Sequence, residues 1–232
     1  MTNGAERRGR FGVARWILVA LMFLAGGAAV ITLGVSRYYE DERYEARRAR
    51  LEAEADIIRA ARAPRLDYGA EPRRLSLGRG RTMEVRSLLN VDQKMSYGNF
   101  IWNEENVPDG PVQVRVDLGR QTLSVFRGGH EIGTAVIIYG SDGKPTPTGS
   151  FPVMEKNADY HSRTYDAPMP YMLRLTADGV AIHGSKVRWG WATHGCVGVP
   201  LEFARLLFEA VHKGDTVTIL PIGETTDDGA ST

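Results

Sequence analysis

The side chains best suited to covalent chemistry in this chain of 232 residues lie close together near its carboxyl end. Cys196 is the only cysteine of the sequence, and His183 and His194 precede it by short intervals. A thiol has an ordinary pKa of about 8.5, so it ionises at neutral pH only beside an imidazole or a positive dipole. The spacing therefore predicts a Cys/His nucleophile pair of the kind that catalyses acyl transfer.

Three glycines interrupt the same stretch of sequence. They are Gly184, Gly195 and Gly198. Glycine lets the backbone adopt angles that other residues avoid. A loop built in this way can bring N–H groups close to the carbonyl oxygen of a bound substrate, as an oxyanion site requires.

Two other interpretations of this stretch stay open. A single cysteine is often a small buried hydrophobe. His183, His194 and Cys196 also suit three ligands of a zinc ion with an open fourth position. However, no acidic residue lies between Gly184 and Pro200 to act as a base beside a metal. We predict neither a metal nor an organic cofactor.

The hydrophobic pattern from residue 111 onward predicts the elements that position these residues. Apolar and polar residues alternate between glycine-rich turns, which is typical of short antiparallel strands. One later segment has an apolar stripe at helical spacing and ends at a glycine. The predicted strands cover residues 112–118, 123–125, 135–139, 180–182 and 216–220, and the predicted helix covers 201–213. The pattern indicates a mainly β domain with one helix, with His130 in a turn.

The composition excludes several classes of protein. Lys and Arg number 29 against 28 Asp and Glu, a net charge of +1, so the basic excess typical of nucleic-acid-binding proteins is missing. Hydrophobic residues make up 43% and charged residues 25%, which are ordinary values for a folded chain. A single cysteine rules out an intramolecular disulfide. One folded domain with appendages fits the length.

The amino-terminal region predicts attachment to a membrane. After a short cytoplasmic segment (residues 1–15), residues 16–36 form an apolar run long enough to cross a bilayer as a helix. A cleaved signal peptide is the alternative. Arginines stand on both sides of the run, so the positive-inside rule does not fix its orientation.

The regions that flank the predicted domain are expected to be less regular. Residues 37–64 are rich in Arg, Glu and Ala, which predicts a charged helical stalk, with weak dimerisation as a coiled coil left open. Residues 65–110 have no clear period and form a linker or an edge of the domain. Residues 223–232 predict a flexible acidic tail.

Three blocks of the sequence resemble the signature segments of one enzyme family. Thr193-His194-Gly195-Cys196, preceded by Ile182-His183-Gly184, resembles the signature of the L,D-transpeptidases with a YkuD-type catalytic domain, bacterial cell-wall enzymes. Residues 116–126 are similar to the opening hairpin of that family, and residues 145–151 to its Thr-Pro-Thr-Gly-x-Phe segment. The likeness covers about residues 111–221, so we delimit the catalytic domain as 111–222.

The resemblance implies a role for each reactive group. Cys196 would be the nucleophile, and His183 the general base, oriented through its other ring nitrogen by the backbone carbonyl of Gly184. His194 would support the site, and the N–H groups of Gly195 and Cys196 would hold the oxyanion. The family's fold is a β-sandwich-like domain with a groove for peptide stems. The candidate substrate-binding residues are Tyr171, Tyr165, Arg188, Thr193 and His161.

Two features of the sequence depart from the family pattern. Gly198 stands where the family usually has Arg or Asn, and the interval between His183 and Thr193 is shorter than in many members. The loss of that side chain affects how the pocket is organised. Arg188 lies in the short interval and would supply charge to the site.

The resemblance implies a membrane-anchored enzyme of peptidoglycan synthesis. Cys196 would attack the amide before the terminal D-Ala of a tetrapeptide stem, and an amine of a neighbouring stem would resolve the thioester. The catalytic domain would lie in the periplasm or otherwise outside the inner membrane. A hydrolase of the same family, acting as a carboxypeptidase or cleaving cross-links or attachments, is one alternative. A noncatalytic cell-wall-binding module is another.

Overall fold

The computed structural model describes residues 65–91, 94–141 and 143–223. The predicted membrane helix, the stalk and nearly all of the predicted tail lie outside these residues. Within the described ranges, no helix has both the length and the apolar character needed to cross a membrane.

The described residues form fourteen strands and one helix, as the sequence pattern predicts for a mainly β chain. The strands are β1 (Leu66–Asp67), β2 (Arg73–Ser76), β3 (Thr82–Val85), β4 (Ser87–Leu88), β5 (Phe100–Trp102), β6 (Val112–Asp117), β7 (Thr122–Arg127), β8 (His130–Val136), β9 (Gly149–Pro152), β10 (Glu155–Ser162), β11 (Ala167–Arg174), β12 (Ala181–Gly184), β13 (Val197–Val199) and β14 (Thr216–Leu220). The helix is α1 (Leu201–Ala210).

The largest sheet has eight strands in the order β1-β4-β8-β7-β6-β14-β9, with β5 also paired to β8. Strands β6, β7 and β8 form the predicted antiparallel meander. The third strand of the meander was predicted at residues 135–139, but β8 covers His130–Val136, so the predicted bounds were wrong. Gly128 and Gly129 adopt φ of 56° and 86°, which closes a tight turn and brings His130 into β8 opposite Arg127.

A second sheet contains His183 in β12, and its strand β13 begins one residue after Cys196. Its order is β10-β11-β12-β13, with antiparallel pairing except between β12 and β13, which are parallel. The apolar side chains of both sheets and of α1 share one buried core. They include Val116, Leu123, Leu173, Ile182, Val197, Phe203 and Ile219, each at most 1% exposed.

Helix α1 ends earlier than its hydrophobic pattern predicts. The helix stops at Ala210, and Val211 is extended (φ −91°, ψ 143°) although the apolar stripe continues through it. Val211 is fully buried in the common core. The Lys156 ammonium donates to the carbonyls of Phe208 (2.6 Å) and Val211. These bonds satisfy carbonyls at the helix end and allow the chain to leave the helix there.

The described part of residues 65–110 is an edge of the folded domain, which is one of the two predicted alternatives. Strands β4 and β5 both pair with β8, and β2 and β3 form a separate hairpin. Arg65 donates to Ser87 Oγ at 3.0 Å and to the Asn103 carbonyl at 3.2 Å. The Glu131 carboxylate is buried and accepts the Leu89 N–H at 3.0 Å. The folded domain therefore begins before residue 111.

Candidate active site

The parallel pairing of β12 with β13 brings the predicted base and nucleophile to one face of the second sheet. Ile182 lies opposite Val197, and His183 lies opposite Gly198. Cys196 comes one residue before β13 and packs against Ala181, two residues before His183. Side chains two residues apart on a strand share a face. His183 and Cys196 therefore face the same way from adjacent strands.

The opposite face of this sheet fixes both strands. Ile182 and Val197 are each at most 1% exposed and lie in the common core with α1. A Cβ on Gly184 would lie 2.9 Å from Leu201 Cδ1 and 3.4 Å from Ala204 Cβ, both in α1. The helix therefore packs closely against β12, and burial of the apolar face holds the reactive face in place.

The hydrogen bond of His183 fixes the orientation of its ring. Nδ1 lies 2.9 Å from the Gly184 carbonyl oxygen, which can only accept, so Nδ1 carries the proton. In the neutral ring, Nε2 is then the basic nitrogen. Burial lowers the pKa of His183 from its ordinary value, and the bond to Gly184 acts in the opposite direction. His183 is therefore a neutral imidazole at pH 7, the form that a general base requires.

The Cys196 thiol is half-buried. It packs against Met169 and Met172, and Sγ lies 3.9 Å from the Gly179 carbonyl. Burial raises the pKa of the thiol, while an N–H bond from Ala181 and the charge of Lys144 lower it to a smaller extent. In the described part of the chain, Sγ makes no hydrogen bond to His183. A nucleophilic role for Cys196 would therefore require the thiol to lose its proton to a base.

The turn that carries the thiol is held by the residues around it. Thr193 Oγ1 donates to the Cys196 carbonyl at 2.5 Å, and the Thr193 N–H donates to the Tyr139 carbonyl at 2.9 Å. Gly195 adopts φ of +101°, a conformation that favours glycine. None of the loop, turn or side-chain bonds of the described residues uses the N–H of Gly195 or Cys196. These two N–H groups are therefore the candidates for an oxyanion site.

A tyrosine and a lysine adjoin the motif. The Tyr165 ring stacks on the His194 ring, with centroids 4.6 Å apart and planes at 21°. Its hydroxyl accepts a hydrogen bond from Lys144 Nζ at 2.7 Å. This bond raises the pKa of Lys144, so the lysine remains charged. Sequence analysis missed Lys144, although it directly precedes the Pro-Thr-Pro-Thr-Gly block.

Three of the predicted substrate-binding residues lie apart from the motif. His161 is exposed on the β10–β11 hairpin, with Nε2 2.9 Å from Asp166 Oδ1. Tyr171 packs on Phe208 of α1, which is the side of the sheet opposite Cys196, with ring centroids 5.9 Å apart. Arg188 is exposed, and its guanidinium lies 5.8 Å from the centroid of the Trp191 ring. Among the described hydrogen bonds and ring contacts, those of Tyr165 and Thr193 reach residues of the motif.

The alternative of a zinc site gains no support from the geometry. Among residues 65–91, 94–141 and 143–223, no three His, Cys, Asp or Glu side chains come together in a way that could hold a metal ion.

The packing around Gly198 explains why this chain has glycine where the family usually has Arg or Asn. A Cβ there would lie 2.7 Å from Ile138 Cγ1 and 3.0 Å from Ser185 Cβ. Gly198 also exchanges two backbone hydrogen bonds with Ile138, at 2.8 and 2.9 Å. The Ile138 side chain therefore fills the space next to Gly198, and a longer residue has no room in this backbone.

Replacing Gly198 by alanine is expected to lower the free energy of unfolding by about 1–3 kcal/mol, because the new methyl group must displace Ile138 or the strand. Gly143→Ala is the matched control, since no atom lies within 4 Å of a Cβ at that position. Urea denaturation of both variants measures the difference. Equal stability of Gly198→Ala and the native chain would contradict this account.

Comparisons with known proteins found similarity to one enzyme family. Residues 111–219 match the family model of the L,D-transpeptidase catalytic domain, YkuD. L,D-transpeptidase 1 of Mycobacterium tuberculosis is 30% identical over 122 residues, which cover 44% of this chain and 48% of that protein. Residues 111–219 of this chain are therefore similar to the L,D-transpeptidase catalytic domain. It spans about half the length of the curated relatives that it matches.

Solved structures of L,D-transpeptidases are similar to part of the chain. An L,D-transpeptidase from Stackebrandtia nassauensis aligns with a TM-score of 0.46 and 27% identity, covering 49% of this chain and 57% of that one. An L,D-transpeptidase from Mycobacterium smegmatis aligns with a TM-score of 0.44 and 22% identity, covering 47% and 58%.

Proposed function

We propose that this protein is a membrane-anchored L,D-transpeptidase that cross-links peptidoglycan stem peptides through a thioester on Cys196. The observation that carries the proposal is the placement of His183 and Cys196 on one face of two adjacent parallel strands. A neutral imidazole with Nδ1 bound to a carbonyl leaves Nε2 as a base beside the only thiol of the chain.

In the first half of the proposed reaction, His183 Nε2 takes the proton of the Cys196 thiol. Sγ attacks the carbonyl carbon of the amide before the terminal D-Ala of a tetrapeptide stem. The N–H groups of Gly195 and Cys196 hold the negative oxygen of the tetrahedral intermediate. The C–N bond then breaks, and His183 returns the proton to the departing amine of D-Ala. The product is a thioester.

In the second half, a side-chain amine of a neighbouring stem attacks the thioester carbonyl. His183 takes a proton from that amine, the C–S bond breaks, and Sγ regains a proton. The new amide is the cross-link. Water in place of the amine would make the protein a hydrolase. Incubating the full-length chain with stem tetrapeptide and measuring cross-linked dimer against free tripeptide decides between these outcomes.

The proposed location is the outer side of the inner membrane. Residues 16–36 would anchor the chain, and residues 37–64 would connect the anchor to the domain. The apolar length of the first segment and the extracytoplasmic position of peptidoglycan support this arrangement.

This topology predicts that a thiol introduced on the domain is labelled in intact cells. Lys213 is exposed, so Lys213→Cys combined with Cys196→Ala gives a chain with a single accessible thiol. A maleimide that penetrates the outer envelope but not the inner membrane should label it in cells that remain sealed. A chain with Cys196→Ala alone is the control. Labelling only after the inner membrane is broken would place the domain in the cytoplasm.

A further inference from the structure

The side chain of Lys144 lies along the loop that carries the nucleophile. Lys144 Cγ is 3.7 Å, and the Lys144 carbonyl oxygen 3.8 Å, from the point where a Cβ on Gly195 would stand. A Cβ on Gly140 would lie 2.3 Å from the same carbonyl and 2.9 Å from Gly195 Cα. The two loops therefore approach so closely that only glycine fits between them, and Lys144 is held next to the residue before Cys196.

Tyr165 fixes the direction of the Lys144 ammonium. Its hydroxyl accepts one N–H of Nζ at 2.7 Å, and its ring is stacked on His194. An ammonium has three N–H groups. Lys144 is exposed, and no other hydrogen bond of Nζ occurs in the described ranges. The other N–H groups are therefore available to a ligand at the loop that carries Cys196.

The charges near the thiol make this ammonium the group suited to an anionic ligand. Lys144 is the cation that lowers the pKa of Cys196, whereas Asp178 raises it. Asp178 also interacts with Lys144, and its carboxylate already accepts the Thr176 hydroxyl at 2.5 Å. A carboxylate that entered next to the thiol would be repelled by Asp178 and attracted by Lys144.

A tetrapeptide stem carries such a carboxylate close to the reacting bond. Its last residue is the leaving group, so a free carboxylate lies one residue beyond the scissile carbonyl, where consecutive Cα atoms are about 3.8 Å apart. We propose that Lys144 binds this terminal carboxylate and makes the enzyme specific for donor stems that end one residue after the scissile bond. This inference rests on the proposed function.

The test compares a stem tetrapeptide with the same peptide amidated at its carboxyl end. The full-length chain should show a kcat/KM about 10–100-fold higher for the acid, as loss of a charge-assisted hydrogen bond predicts. In Lys144→Met the two peptides should react at similar rates, and Lys144→Arg should restore part of the preference. Lys213→Met removes an exposed lysine elsewhere and should leave the preference unchanged.

A binding measurement keeps this test separate from turnover. In a Cys196→Ala background, titration calorimetry should show tighter binding of the acid than of the amide, and addition of Lys144→Met should remove the difference. No preference for the acid in the native chain, or a preference retained in Lys144→Met, would overturn the role of Lys144. If binding shows the preference and the native chain turns over neither peptide, the role stands and the proposed function fails.

Discussion

Replacing Cys196 by alanine is expected to abolish covalent acylation and turnover completely, because the chain has no second thiol to form the thioester. The intact mass of the native chain should rise by the mass of one carbapenem, an inhibitor class that acylates the thiol if the family resemblance holds. The intact mass of Cys196→Ala should not change. Mass spectrometry of both chains after the same incubation is the measurement.

A second thiol in another place tests whether acylation depends on the site rather than on sulfur alone. The double variant Cys196→Ala with Lys213→Cys carries one exposed thiol on the turn after α1. We expect no adduct on it, since it lacks the imidazole proposed as the base and the N–H groups proposed to hold the oxyanion. A native chain that binds peptidoglycan and gains no mass would instead favour the noncatalytic module.

Replacing His183, the proposed base, is expected to have the second largest effect. His183→Gln should lower the rate of acylation by about 10²–10⁴-fold, because the thiol then lacks the group that takes its proton. The raised pKa of Cys196 makes this loss severe, since very little thiolate exists at neutral pH without a base. Single-turnover acylation followed by mass spectrometry gives the rate.

The pH dependence separates a base from a structural role. Burial lowers the pKa of His183, so the neutral imidazole persists as the pH falls through the ordinary range near 6.5. The acylation rate of the native chain should therefore decline only below that range, and the residual rate of His183→Gln should not show this decline. His212→Gln, which changes an exposed histidine, should behave as the native chain. Native rates in His183→Gln would make His194 the next candidate for the base.

Around Gly198, other contacts take the place of the Arg or Asn side chain that the family usually has at this position. The space that a side chain at position 198 would use is filled by Ile138, whereas a charge reaches the nucleophile loop from Lys144. The predicted source of charge, Arg188, instead lies over Trp191 in the β12–β13 connection. The charge near Cys196 therefore comes from the loop before β9 and not from the short interval.

The sequence by itself determined the features that depend on near neighbours in the chain. Alternating apolar residues around one turn predicted β6 and β7, and the same pattern predicted β14 with its observed bounds, because side-chain period and turn chemistry are local properties. The candidate reactive residues could also be identified from the sequence, since Cys196 and His183 have chemically distinctive side chains. The end of α1 could not be predicted, because the residue that caps it, Lys156 of β10, is distant in the sequence.

Only the tertiary structure decided which of these residues meet. The parallel register of β12 with β13 places His183 and Cys196 on one face, and no short turn sets the register of a parallel pair. Strands of two to four residues in the segment before β6 are too short to show a period, and two of them, β4 and β5, form by pairing with the distant strand β8. Lys144 lies next to Gly195 because the backbone approaches closely at two glycines, Gly140 and Gly195. Contacts between distant segments depend on packing, which a local pattern does not encode.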